Sequence, residues 1–204
     1  MFKNRFKGKF IAIEGLSGSG ASTQTHKLKS YFRTKKINVS VTREPTNDII
    51  GGIIRSCITK DWKVSSPHTL QLLFAADRAN HLNKDIIPHL EKGIHVVTDR
   101  YFLSSIAYGS VDIPDKDWLY QINNQFIVPD LTILLKISAK VCIKRARKDD
   151  LNIDLFDKEE KYQKVWDAYE TIAKKYPNVV IVNGEQDEED VFADILQEVS
   201  KMIR

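Results

Sequence analysis

Five short apolar runs constrain this chain more than any other feature: Phe10–Glu14, Val39–Thr42, Ile94–Thr98, Leu131–Leu135 and Val179–Val182. Most are nearly continuous in hydrophobic residues rather than alternating, which is the pattern of strands covered on both faces, as in a parallel sheet. Parallel strands need crossover connections. Helical stretches supply them at Ser22–Thr34, Asp48–Thr59, Pro67–Asn83, Lys84–Glu91, Asp115–Gln125, Ala139–Lys148, Lys158–Lys175 and Glu188–Ile203. In the last of these, Val191, Ile195 and Val199 recur at four-residue spacing. Strand and helix alternate, so the expected architecture is a doubly wound α/β fold with right-handed crossovers. With 204 residues and no repeat, low-complexity tract or linker, one domain spanning 1–204 is expected. The charged segment from Asp149 to Lys161 has few apolar anchors and reads as a surface excursion or a solvated helix start.

Composition narrows the function classes. The formal net charge is +4, from 31 Lys and Arg against 27 Asp and Glu. Such a small excess fits an anionic ligand and gives no case for nucleic-acid binding. No apolar run approaches the roughly 20 residues a membrane span needs. Lys3, Arg5, Lys7 and Lys9 read as a solvated basic arm leading into the first strand, without a signal-peptide core, so a cytoplasmic location is expected. Cys57 and Cys142 have no paired spacing and read as free thiols.

The run Gly15-Leu16-Ser17-Gly18-Ser19-Gly20-Ala21-Ser22 follows the first strand and opens a helix. Glycines let a backbone curl its N–H groups inward, and the positive end of the helix dipole adds to them, forming a nest for phosphates. A nucleoside triphosphate used for phosphoryl transfer is the expected ligand. Ser22 stands where the loop hydroxyl would meet Mg²⁺, with Thr23 beside it. The loop pattern calls for lysine at position 21, and this chain has Ala21. A hydrogen bond to a charged group is worth roughly 1.5–3 kcal/mol, about one to two powers of ten in rate if realised wholly in the transition state. A glycine-rich turn without catalytic role is the bland alternative.

Several downstream groups belong with the loop. Asp99 and Arg100 follow the third apolar run, at the ligand-facing edge of an α/β sheet. Asp99 would hold Mg²⁺ and Arg100 would grip a phosphate; a strand-end ion pair is the alternative. Arg43, after the second run, would face the same crevice or pair with Glu44. Phe74 and Arg78 lie side by side on one helix, suited to stacking on a base and bonding its carbonyl, or else form a core aromatic and a snorkelling arginine. Leu72, Ala75, Ala76, Ala79 and Leu82 form a small-residue face that would pack on the core or on a second subunit. Lys144, Arg145, Arg147 and Lys148 either suit a helix C-terminus or form a lid whose arginines close on the transferring group.

In order along the chain, FIAIEGLSGSGASTQ, TREP at Thr42–Pro45, LLFAADRANHL at Leu72–Leu82 and VVTDRYFLSSIAYG at Val96–Gly109 resemble the thymidylate kinase family of P-loop nucleoside-monophosphate kinases. The resemblance runs over nearly the whole chain. It implies a P-loop NTPase three-layer α/β/α fold, a five-stranded parallel sheet of order 2-3-1-4-5, a small lid over about 144–158 and a homodimer. The implied reaction is ATP-dependent phosphorylation of dTMP to dTDP with Mg²⁺. A related kinase that also accepts dUMP and a catalytically impaired nucleotide binder are the alternatives; a nucleoside kinase would need a base, for which only Glu14 or Glu44 offers itself.

The implied roles follow residue by residue. Phe74 would stack on thymine and Arg78 bond its O4, Arg43 and Arg100 would bind the monophosphate, and Asp99 would organise Mg²⁺ with Ser22. Tyr108 would lie against the deoxyribose, Ser104 and Ser105 near the base and loop, Asn183 and Gly184 near adenine, and Arg145 and Arg147 in the lid. The chain departs from the family pattern at Ala21, at Gly109-Ser110 where Gln-Gly is usual, at Thr46-Asn47-Asp48 after TREP, and at Asn152-Ile153-Asp154 in the lid.

Overall fold

The five apolar runs become the five strands of one parallel sheet. The computed structural model describes residues 1–146 and 155–203. Its strands are β1 (Phe2–Lys3), β2 (Phe10–Gly15), β3 (Val39–Arg43), β4 (His95–Asp99), β5 (Ile127–Val128), β6 (Leu131–Lys136) and β7 (Val179–Asn183). Its helices are α1 (Ala21–Thr34), α2 (Ile49–Ile58), α3 (Pro67–His81), α4 (Ile87–Glu91), α5 (Phe102–Asp112), α6 (Lys116–Asn123), α7 (Ala139–Ala146), α8 (Leu155–Ala173) and α9 (Glu188–Ser200). The main sheet runs β3-β4-β2-β6-β7, all parallel, which is the expected order 2-3-1-4-5 of the five runs.

Pleating explains why the central runs are nearly continuous in apolar residues. Phe10, Ala12, Val96 and Leu134 face one core, while Ile11, Ile13, Val97, Ile133 and Leu135 face the other. Every residue of β2 is buried. Each fully buried large aliphatic side chain contributes roughly 1.5–3 kcal/mol, so the two cores together hold the sheet. The edge strands need less: β3 is only partly buried, and Ile181 of β7 is largely exposed.

Three elements differ from expectation. First, α5 forms over residues 102–112, where no helix was expected. Its Ser, Gly and β-branched residues have modest helix propensity, and packing decides instead: Phe102, Leu103, Ile106 and Ala107 are buried in the first core. Second, Pro67–Asn83 and Lys84–Glu91 are not separate helices. A π turn, Leu82–Ile86, joins α3 to α4. Pro88 cannot donate to the carbonyl four residues back, and the wider turn just before it accommodates the fault. Third, the amino-terminal arm is tied down. Phe2–Lys3 pairs with Ile127–Val128, and Asn4 Nδ2 donates to the Asp130 carboxylate at 2.6 Å, although Lys3, Arg5 and Lys7 remain exposed. The small-residue face of α3 is split: Ala75 and Leu82 are buried, while Ala76 and Leu72 are exposed. Cys142 is buried and Cys57 half-buried, both free. Among the described residues, no helix is long and apolar enough to cross a membrane.

Candidate active site

Parallel strands end together, so Gly15, Arg43, Asp99, Lys136 and Asn183 all reach one edge of the sheet. The glycine-rich loop turns there into α1. Gly18 takes φ +85° and Gly20 φ +90°, values that side-chain-bearing residues rarely adopt. A Cβ on Gly18 would also come within 2.6 Å of the Cys142 carbonyl oxygen, so α7 rests directly on the loop. Burial pushes the Cys142 thiol up to about 12, so at neutral pH it is an unreactive packing group. Gly20 has no side chain to cap α1. The first N–H to find an intrahelical carbonyl is that of Gln24, which donates to Gly20 at 3.0 Å. The N–H groups of Ala21, Ser22 and Thr23 therefore open the helix as anion donors.

Other parts of the loop are occupied by the protein. The Ser17 N–H donates to the Tyr108 hydroxyl at 2.9 Å, and the Ser19 N–H donates to Leu16 O at 3.0 Å. Leu16 is buried in the first core, and the Ala21 methyl is buried in the second. The Ser22 hydroxyl donates to the Asp99 carboxylate, so the two proposed metal-side groups meet.

Arg100 sits between the loop and a cavity. Its φ of 71° is unusual for a residue with a side chain and costs of order 1–3 kcal/mol. Its N–H donates to Ile13 O, and its Nη1 donates to Gly15 O at 2.8 Å and to Ser104 Oγ at 3.1 Å. The guanidinium lies 5.6 Å from the Tyr108 ring centroid. Tyr108 thus holds the loop with its hydroxyl and Arg100 with its ring.

Glu14 organises the same corner from beneath. Its carboxylate accepts from the Tyr101 N–H at 2.9 Å and the Ser104 N–H at 3.2 Å, which caps α5 from across the sheet. The Ser104 hydroxyl also donates to it, and the Tyr169 hydroxyl donates at 3.3 Å. Burial pushes the Glu14 carboxyl up to about 7, against the lowering effect of the Ser104 hydrogen bonds and of Arg100.

The adjoining cavity, about 350 Å³, is lined by Ser17, Phe74, Arg78, Arg100, Ser104, Ser105 and Tyr108 among others. That volume is at the small-ligand end of the range for binding pockets. Arg78 does not snorkel. It is 1% exposed and held on every side. Nε donates to Glu44 Oε2 at 2.9 Å, Nη2 lies 2.7 Å from the same oxygen and 2.8 Å from Ser105 Oγ, and Nη1 donates to Asn123 Oδ1 at 2.6 Å. Three of the five guanidinium N–H donors make hydrogen bonds and Nη2 is also in ion-pair contact with Glu44, leaving one N–H on Nη1 without a partner among the described residues. Tyr101 and Phe126 lie over the guanidinium. Glu44 therefore pairs with Arg78 and, through Oε1, with His81 at 3.0 Å, rather than with Arg43.

The expected residues do not all converge. Arg43 is exposed and lines a second, polar cleft with Ser22, His26, Lys29 and Asp99, not the cavity that holds Phe74 and Arg78. Asn183 lines a third cleft with Lys136, Trp166 and Glu185, and its Oδ1 accepts from the Glu185 N–H at 3.1 Å. Arg145, one turn beyond Cys142, donates to Gly184 O at 3.4 Å and so spans from the phosphate loop towards the β7–α9 turn. Arg147, Lys148 and Asn152-Ile153-Asp154 lie outside the described residues, as does most of the expected lid. Asn123, His81 and Tyr169 went unnoticed in the sequence because each acts through contacts far along the chain.

A family model for thymidylate kinase matches residues 13–195. A probable thymidylate kinase of Thermococcus onnurineus is 38% identical over 195 residues, covering 92% of this chain and 95% of the relative. One from Thermococcus gammatolerans is 37% identical over 96% and 98% of the two chains, and a thymidylate kinase of Caldicellulosiruptor saccharolyticus is 35% identical over 97% and 98%. With the phosphate loop, the Asp99-Arg100 corner and the Phe74–Arg78 cavity all lying within the matched span, the chain belongs to the thymidylate kinase family.

Proposed function

We propose that this chain transfers the terminal phosphoryl group of ATP to dTMP, giving ADP and dTDP. Residues 1–204 would act as one domain, with a lid over about 144–158, among the nucleotides of the cytoplasm. The observation that carries this reading is the Arg78 cavity. A fully buried arginine with one N–H in reserve, beside Phe74 and opening towards Arg100 and the loop, suits a base at one end and a phosphate at the other.

The chemistry asks little of a general base. The acceptor phosphate is already ionised at neutral pH, so positioning and charge neutralisation suffice. The two carboxylates open to use by a nucleoside kinase are engaged elsewhere: Glu14 caps α5, and Glu44 holds Arg78. The N–H groups opening α1 would cradle the donor phosphates. Ser22 and Asp99 form a hard oxygen pair of the kind Mg²⁺ accepts while keeping water and phosphate as its other ligands. Bound there with the nucleotide, Mg²⁺ would neutralise charge on the donor phosphates. Arg100 would hold the acceptor phosphate, with Arg43 reaching it from the polar cleft. Arg145, with Arg147, would bring in the positive charge that Ala21 does not supply, and Asn183 would border the adenine.

Ala21 also favours a rival reading, a nucleotide binder that no longer turns over. Steady-state assays with ATP and Mg²⁺ against dTMP, dUMP, dCMP and deoxynucleosides separate the possibilities. Preferential dTDP formation supports the proposal. Equal use of dUMP points to the broader kinase, and binding without turnover to the rival. A homodimer is part of the same reading, since Ile49, Ile53 and Leu72 on the neighbouring helices α2 and α3 are exposed. Sedimentation of Leu72→Asp as a dimer indistinguishable from wild type would remove that surface from consideration.

A further inference from the structure

Gln71 occupies the acceptor cavity in a way that the residues already discussed do not explain. It lies on α3 three residues before Phe74 and seven before Arg78, so the three side chains fall in one stripe of the helix. All three line the same cavity. Gln71 is only 5% exposed, and its amide oxygen Oε1 is buried with no hydrogen-bond partner among the described residues. A buried amide oxygen normally has a donor, and one that lacks it inside a ligand cavity is placed to receive one from the ligand.

The space Gln71 fills exists because of Gly109. A Cβ at that position would stand 2.9 Å from Leu119 Cδ2, 3.0 Å from Gln71 Cδ and 3.1 Å from Gln71 Nε2. The α3 amide therefore sits where a side chain on α5 would otherwise project. Gly109 lies within the α5 helix and is not among the glycines with positive φ, so its lack of a side chain serves this packing and not a turn.

We propose that Gln71 is a specificity-determining residue of the acceptor site, reading the base edge beside Arg78. The proposal rests on the reading of this cavity as the site of a pyrimidine monophosphate. The Arg78 guanidinium has only donors to offer, and Gln71 Oε1 is an acceptor. Lining one cavity, the two together complement a ring carbonyl next to a ring N–H, which is the C4 carbonyl and N3–H of thymine or uracil. Cytosine presents the opposite pattern, an amino group at C4 and a bare N3. Gln71 thus selects imide pyrimidines over cytosine and does not distinguish thymine from uracil.

The test uses the full-length protein and two variants. Gln71→Met keeps the length of the side chain and removes its amide. Gly109→Ala is compatible with a helix and crowds that amide from behind. For wild type and both variants, kcat/KM is measured for dTMP, dUMP and dCMP, together with KM for ATP, dTMP affinity by calorimetry without ATP, and the thermal midpoint. Expected for Gln71→Met is a fall of about tenfold in kcat/KM for dTMP and dUMP, the effect of one hydrogen bond. The dTMP-to-dCMP ratio should fall by a similar factor, with KM for ATP unchanged. Gly109→Ala should shift the ratio in the same direction by a smaller factor. A purely structural Gln71 would lower the thermal midpoint and leave the ratio alone, and an unchanged ratio in both variants overturns the proposal. Should Gln71→Met fail to fold, an unchanged ratio in Gly109→Ala overturns it by itself. Wild-type protein that binds neither dTMP nor dUMP overturns the acceptor reading beneath it, an outcome distinct from a wild type that turns over dTMP and a variant that discriminates as well.

Discussion

On one side of Arg100 lies a cavity whose polar side chains are fixed by buried partners: Arg78 by Glu44, Asn123 and Ser105, and Glu44 in turn by His81. On the other side lies a loop that offers a phosphate its backbone, a serine hydroxyl and no cation of its own, because residue 21 is alanine. The acceptor side is preorganised by side chains and coupled to the core. The donor side is preorganised by glycines and a helix start, and its missing charge must arrive from elsewhere. Damage to the first should therefore show up as lost stability as well as lost binding. Damage to the second should show up as lost turnover in a protein that is as stable as before.

The largest effect is expected at Arg78. Arg78→Ala leaves the Glu44 carboxylate buried with His81 beside it and no arginine, a change of the kind that costs about 3–5 kcal/mol. Urea denaturation should show that loss, and adding Glu44→Gln should recover part of it. A loss below about 1 kcal/mol would mean that the cavity is not built on this pair and would erase the contrast with the loop.

Glu14 gives the next effect, and its sign is distinctive. Its carboxyl is raised to about 7 in the folded chain from the usual 4.5. The folded state therefore holds a proton between these values that the unfolded state has lost. The stability from this group is complete below about pH 4.5 and is lost as pH rises through 7, by up to roughly 3 kcal/mol. Glu14→Gln, which keeps the α5 cap without the titration, should be the more stable protein at pH 8 relative to wild type, and the gap should close towards pH 5. A gap that is constant with pH would assign Glu14 an ordinary ionised carboxylate.

Arg145 tests the donor side. Arg145→Ala should lower turnover by about 10–100-fold, the worth of one charged hydrogen bond. The thermal midpoint should be unchanged, since Arg145 is exposed and its hydrogen bond among the described residues is the long one to Gly184. Ala21→Lys placed in that background should recover much of the rate. Full activity in Arg145→Ala would pass the role to Arg147 or dissolve it.

The same contrast governs how much could be read beforehand. The sheet was legible because its central strands are buried on both faces and so are nearly continuous in apolar residues, as in Phe10–Ile13 of β2. The phosphate loop was legible because its glycines and helix start are local. Phe74 and Arg78 could be paired by helical spacing, but the alternative of a snorkelling arginine stood until Glu44, Asn123 and Ser105 were seen around it. Helix α5 was missed because it depends on core packing and on a cap supplied by Glu14 from another strand. Arg43 was expected, from its place after a strand, in the crevice of Asp99 and Arg100; it lines the polar cleft with Ser22 and Asp99, while Arg100 lines the neighbouring cavity. Gln71 gave no local signal, since its meaning depends on the absence of a side chain at Gly109.

The measurement that bears most directly on the contrast is a steady-state assay of the wild-type protein with ATP, Mg²⁺ and dTMP, run alongside calorimetric binding of dTMP alone. Expected is dTMP binding to the preformed cavity without ATP, and sustained, equimolar formation of ADP and dTDP over many turnovers despite Ala21. Tight dTMP binding with no turnover would contradict it, showing an intact acceptor side joined to a phosphate loop that no longer transfers.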